Sequence, residues 1–164
     1  MRNVASYLLV GLIPMLVSCG VKRIPLAPVG PPPRDDASPS PRDGQLQVFS
    51  ETEEFQEGNA YYFPHSAYKI CTVEGKRMEY VWNRRGHEDG TPAVVTLPAG
   101  RYLVEAEATL YGPVSVPVVI KPGQTTRVML QPGWKPSRQY AASDLVTMPN
   151  GYAVGWRDGA TSMN

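Results

Sequence analysis

The residues able to do chemistry in this 164-residue chain are few. Its two histidines, His65 and His87, lie in polar or proline-rich stretches, and its two cysteines are Cys19 and Cys71. His87-Glu88-Asp89, with His65, offers nitrogen and oxygen donors to a divalent metal, but three adjacent loop residues rarely converge and no recognised ligand spacing is present. A solvated turn is the simpler reading. Glu51-Thr52-Glu53-Glu54 and Glu57-Gly58-Asn59 lack the alternating ligand spacing of a calcium loop. There is no nucleophile elbow, metalloprotease helix motif, P-loop or dinucleotide fingerprint. No catalytic residue, metal ligand or cofactor is assigned, and the chain is expected not to be an enzyme. The best acid–base pair available from different loops is His65 with Glu88 or Asp89.

Binding chemistry has better material. Tyr61-Tyr62-Phe63-Pro64 offers flat rings and hydroxyls suited to stacking on a sugar, with closure of one end of a core as the competing role. Arg84 and Arg85, beside His87, offer cationic donors to a lipid headgroup or an anionic wall. The candidate ligand-binding residues are therefore Tyr61, Tyr62, Arg84, Arg85 and His87, for a glycan or an envelope protein. Cys71 lies in the apolar run Tyr68-Lys69-Ile70-Cys71-Thr72-Val73 and is expected to be buried and inert.

The elements that must position these residues are strands. Residues 101–108 place Tyr102, Val104, Ala106 and Ala108 on one face and Arg101, Glu105 and Glu107 on the other, the period of a half-buried strand. Residues 114–120 repeat it, with Pro117 pointing to an edge or a bulge. Further strands are expected at 45–50, 66–73, 77–82, 93–97 and 125–131. Lys121-Pro122-Gly123-Gln124 reads as a type II turn, Leu97-Pro98-Ala99-Gly100 as a tight connection, and Asn150-Gly151 as a two-residue hairpin turn in the tail. About seven strands without a sustained helical period predict an all-β sandwich of Greek-key type.

The amino-terminal segment has a different character. Arg2 precedes an apolar run over residues 4–17, the order of a secretory leader. The run ends in Leu16-Val17-Ser18-Cys19-Gly20, which resembles the lipobox of bacterial lipoproteins. That resemblance implies cleavage after residue 18, diacylglycerol on the Cys19 thiol and a membrane anchor without a spanning helix. Because Gly20 is not an inner-membrane retention aspartate, the resemblance implies the outer membrane of the cell envelope, facing the periplasm or the cell surface. Losing Arg2 with the leader leaves fifteen basic and fifteen acidic residues. A neutral mature chain gives no electrostatic case for nucleic acid. Residues 19–44 hold seven prolines between 25 and 41 and are expected to be a tether of up to ~70 Å that buries no core.

Thr96-Leu97-Pro98-Ala99-Gly100-Arg101-Tyr102, Tyr111-Gly112 and Val116-Pro117-Val118-Val119-Ile120-Lys121-Pro122-Gly123-Gln124-Thr125 together resemble carboxypeptidase-regulatory-like domains, which are prealbumin-like (transthyretin-like) sandwiches akin in style to PEGA repeats. The resemblance is carried by residues 93–131 and supplies no catalytic residues. It implies a non-catalytic accessory module. The chain is thus expected to comprise a leader (1–18), a lipidated tether (19–44), a sandwich (45–131) and a carboxy-terminal extension with a hairpin (132–164). The functional expectation is an envelope lipoprotein with a binding or scaffolding module, the alternatives being a periplasmic hydrolase accessory or enzyme and a subunit of an envelope assembly.

Overall fold

The computed structural model describes residues 24–33, 42–83, 90–136 and 140–160. The leader, Cys19, Arg84, Arg85, His87, Glu88 and Asp89 lie outside the described residues. The elements in chain order are Val29–Gly30 (β1), Asp43–Phe49 (β2), Phe55–Glu57 (β3), Ala60–Tyr62 (β4), Tyr68–Cys71 (β5), Arg77–Val81 (β6), Val94–Pro98 (β7), Gly100–Ala108 (β8), Gly112–Ile120 (β9), Thr125–Met129 (β10), Leu145–Thr147 (β11) and Ala153–Arg157 (β12). A single 3-10 turn, Ala142–Asp144, precedes β11. Among the described residues no helix is long and apolar enough to cross a membrane.

The strands form a seven-stranded sheet, ordered β11-β12-β1-β9-β8-β5-β6, and a three-stranded sheet, β10-β2-β7, with β3-β4 as a separate hairpin. This is a β-sandwich. Between its sheets lie Leu46 and Val48 of β2, Ile70 of β5, Val104 of β8, Val114, Val116 and Val118 of β9 and Val128 of β10, all buried in one apolar cluster. Alternation explains the arrangement: β8 and β9 are paired over their full lengths, from Gly100 with Ile120 to Ala108 with Gly112, and every second side chain turns inward. Each of the seven strands read from alternation is present, with ends shifted by at most two residues.

The chain passes from the smaller sheet to the larger at Pro98-Ala99-Gly100. Tyr102 closes this corner: its ring lies over Gly100 and its hydroxyl donates to the Pro98 carbonyl at 2.9 Å. Gly123, at φ +61°, takes the left-handed position of the type II turn between β9 and β10, and the Gln124 N–H closes it on the Lys121 carbonyl at 3.2 Å.

Three expectations are corrected. Residues 24–33 were expected to lie in a tether without core contacts, yet Ile24 and Val29 are buried in the main cluster, Leu26 and Ala27 pack against it, and β1 is a strand of the larger sheet. A two-residue strand in a proline-rich segment has no detectable period; it is held by neighbours on both sides, parallel to β9 at Val118 and antiparallel to β12 at Arg157 and Trp156. Pro117 was expected at an edge or bulge, yet β9 is internal and Pro117 pairs with Leu103 without a register break. This is tolerated because the ladder of β1 with β9 is the single pair Val29 with Val118, so no neighbouring strand needs the N–H that Pro117 lacks. The tail hairpin exists and is docked, but its turn is not the two-residue type. Pro149-Asn150-Gly151 form a three-residue loop closed by Gly151 N–H to Met148 O at 2.8 Å and Met148 N–H to Tyr152 O at 2.9 Å. Within this loop only Gly151 takes a positive φ, whereas the two-residue type I′ turn would need one at Asn150 as well.

Candidate functional site

The outer face of the larger sheet carries aromatic side chains that the core does not use. Along β6, Val81 turns inward while Met78, Tyr80 and the following Trp82 turn outward, Tyr80 44 % and Trp82 66 % exposed. Their rings meet edge to face with centroids 5.1 Å apart, a geometry that fixes each ring against the other. β6 ends the strand order of its sheet.

Tyr80 is the shared wall of two adjoining clefts. One, of about 130 Å³, is lined by Glu53, Pro64, His65, Ser66, Ala67, Tyr80, Trp82 and Asn83. The other, of about 180 Å³, runs from Ala67 and Tyr80 across Lys69 to Glu105, Glu107 and Pro113. Strand register explains the second: Lys69 lies between Tyr80 on β6 and Glu105 on β8, so these three share one face. Lys69 reaches Glu105 at 3.8 Å. Burial raises the Glu107 carboxyl above the usual carboxylate range, and the nearby charges of Glu51 and Glu53 raise it further.

Beneath the first cleft lies a polar cluster that joins the two sheets. The buried Asn83 amide donates to Val48 O at 2.7 Å and Ser50 Oγ at 3.0 Å, while its Oδ1 accepts from Ala93 N–H at 3.1 Å. Ser50 Oγ donates to Ser66 O at 2.7 Å, and His65 Nδ1 lies 2.6 Å from Ser50 O. His65 also meets the Phe49 ring edge to face at 5.6 Å. The expectation of His65 in a polar loop is thereby corrected: it is a buried structural residue, packed and hydrogen-bonded. Ser66 Oγ and Tyr68 OH are buried without a hydrogen-bond partner.

The other sequence-derived candidates are placed differently. Tyr61 and Tyr62 belong to β4 of the small hairpin, where Tyr61 is exposed and Tyr62 meets Phe55 at 6.4 Å. They do not close the sandwich core, because β3-β4 pairs with neither main sheet. Cys71 is buried and unpaired, and burial raises its thiol pKa, which disfavours the nucleophilic thiolate. Among the described residues no group of three His, Cys, Asp or Glu side chains is arranged to hold a metal. Sequence reading passed over Tyr80 and Trp82, whose signal was an apolar residue at every second position on the water-facing side of 77–82.

No protein-family model, curated protein or solved structure matches the chain.

Proposed function

We propose that this protein is a lipid-anchored component of the bacterial cell envelope whose prealbumin-like, Greek-key sandwich acts as a non-catalytic binding module. The carrying observation is the aromatic-walled pair of clefts on a rigid sheet face, described residues there forming no metal cluster. Few convergent polar groups beside exposed rings suit recognition. The corner at Pro98, Gly100 and Tyr102 supports the carboxypeptidase-regulatory-like assignment, since it gives the Leu97-Pro98-Ala99-Gly100-Arg101-Tyr102 motif a structural reason.

The anchor rests on Leu16-Val17-Ser18-Cys19. Four residues lie between Cys19 and the buried Ile24, and the five residue steps span at most ~18 Å. In this reading the module sits close to the membrane, and the proline-rich segment after Gly30 connects β1 to β2 rather than the anchor to the module. The outer membrane is the proposed location.

Metabolic labelling with a fatty acid, followed by membrane fractionation, tests the anchor. The wild type is expected to carry label and sediment with the outer membrane, and Cys19→Ala to lose both. A labelled, membrane-bound Cys19→Ala would refute it. Turnover of any hydrolase substrate by the purified chain, lost on a single substitution in the clefts, would refute the non-catalytic reading.

A further inference from the structure

The double cleft has a charge signature as well as an aromatic wall. Glu53 lines one side, Glu105 and Glu107 line the other, and Lys69 is the one lysine or arginine among the described lining residues. Lys69 is already paired with Glu105. Trp82 and Tyr80 therefore stand beside carboxylates in excess of cations. Ring faces attract ammonium and guanidinium groups, and carboxylates supply the charge-assisted hydrogen bonds that hold them. Ala67, common to both clefts, leaves the junction open for a side chain to enter.

A second observation points the same way. Ser66 lines the same cleft as Trp82, is only 5 % exposed, and its hydroxyl has no hydrogen-bond partner among the described residues. A buried unpaired hydroxyl costs about 1–3 kcal/mol, so native structures rarely keep one without a use. The crowding of Glu107 by Glu51 and Glu53 is likewise relieved when a cation enters.

We infer that this face docks a lysine- or arginine-bearing extended segment of a partner protein, with the cationic side chain between Tyr80, Trp82 and the carboxylates of Glu53 and Glu107. The occupant is a peptide because the groove lies against β6, the terminal strand of its sheet, where an extended chain can lie alongside. The inference deepens the binding-module reading and rests on it.

The test uses the full mature chain, purified in detergent, titrated by calorimetry with hexalysine, with hexaglutamate, and with a glucosamine oligomer of equal charge. Hexalysine is expected to bind and hexaglutamate not to bind. Glu53→Gln with Glu107→Gln, and separately Trp82→Ala, are expected to weaken hexalysine binding at least tenfold. Trp82 is exposed and Glu53 lies at the surface, so these variants are expected to fold, and a melting temperature no lower than that of the wild type verifies it. For a variant that melts early, the same comparison is made with Trp82→Phe, which keeps an aromatic face and is expected to retain most of the affinity. Hexalysine binding that is absent, or unchanged in the variants, overturns the inference. Tighter binding of the glucosamine oligomer overturns the peptide assignment while leaving a binding module in place. Loss of all binding to every probe, beside intact lipid labelling, separates failure here from failure of the anchor.

Discussion

A β-carbon added to Gly155 of β12 would lie 2.6 Å from Val29 Cγ1 of β1 and 2.8 Å from the carbonyl oxygen of Arg127 on β10. The last strand and the first thus meet across the space of one missing methyl group. Gly155→Ala is expected to destabilise the fold by about 1–3 kcal/mol through overpacking. Val29→Ala in the same chain should restore only part of the loss, because the Arg127 carbonyl remains. Urea denaturation of the single and double variants measures this coupling; additive effects would disprove the contact.

Asn83 uses both ends of its amide, donating to Val48 O and Ser50 Oγ and accepting from Ala93 N–H. Asn83→Asp keeps the shape and removes the donor. The buried Val48 carbonyl then faces a carboxylate, and a loss of about 1–3 kcal/mol is expected. Thermal melting at neutral pH checks it, with Asn83→Asp recovering stability in acid as the carboxyl protonates.

Gly123 and Leu110 occupy the same left-handed region, at φ +61° and φ +73°. Gly123→Val should cost on the order of 1–3 kcal/mol, since a β-branched residue is strained there. Leu110 already bears such strain in the β8–β9 turn, and its side chain is 78 % exposed. Leu110→Asn, a residue that tolerates this region, should therefore raise the melting temperature. A drop would mean the leucine side chain is used.

Tyr102→Phe removes the hydroxyl that reaches Pro98 O and keeps the ring over Gly100. The expected cost is about 0.5–1.5 kcal/mol, the net worth of one hydrogen bond. A larger loss in Tyr102→Ala than in Tyr102→Phe, measured by urea titration, would separate the ring's packing from the bond.

Glu107 binds its proton more tightly in the folded chain than in the unfolded one, because burial and then Glu51 and Glu53 disfavour its charge. The folded state consequently loses stability as pH rises from the ordinary carboxylate range through the raised value. Glu107→Gln should be more stable than wild type at neutral pH, and the advantage should shrink as pH falls through that window and vanish below it. An advantage that persists in acid would point to a cause other than ionisation.

The sandwich strands were legible because each states its period within its own residues, as Arg101 to Ala108 does. β1 was not, since Val29 is buried only by partners more than eighty residues away, and proline-rich composition read locally as spacer. The β3-β4 hairpin carries no such signal for the opposite reason: its side chains are mostly exposed, so no buried face marks it. At the site, attention to a contiguous aromatic run selected Tyr61 and Tyr62. The pair that meets is Tyr80 with Trp82, spaced by two, and its outward direction depends on which face of β6 the core claims. The network of Ser50, His65, Ser66 and Asn83 is assembled from three segments and leaves no local pattern.

The placement of β1 also sets an order of events. Val29 cannot be enclosed until residues 153–157 have arrived beside it, because β12 forms one wall of its slot. As the chain is synthesised from its amino end, the central strands can pair while β1 stays outside, its apolar residues uncovered. Closure then waits for the final strand. A chain without residues 153–157 would leave Ile24, Leu26 and Val29 uncovered, so arrival of the last strand, rather than collapse of the central strands, is the step that encloses this segment.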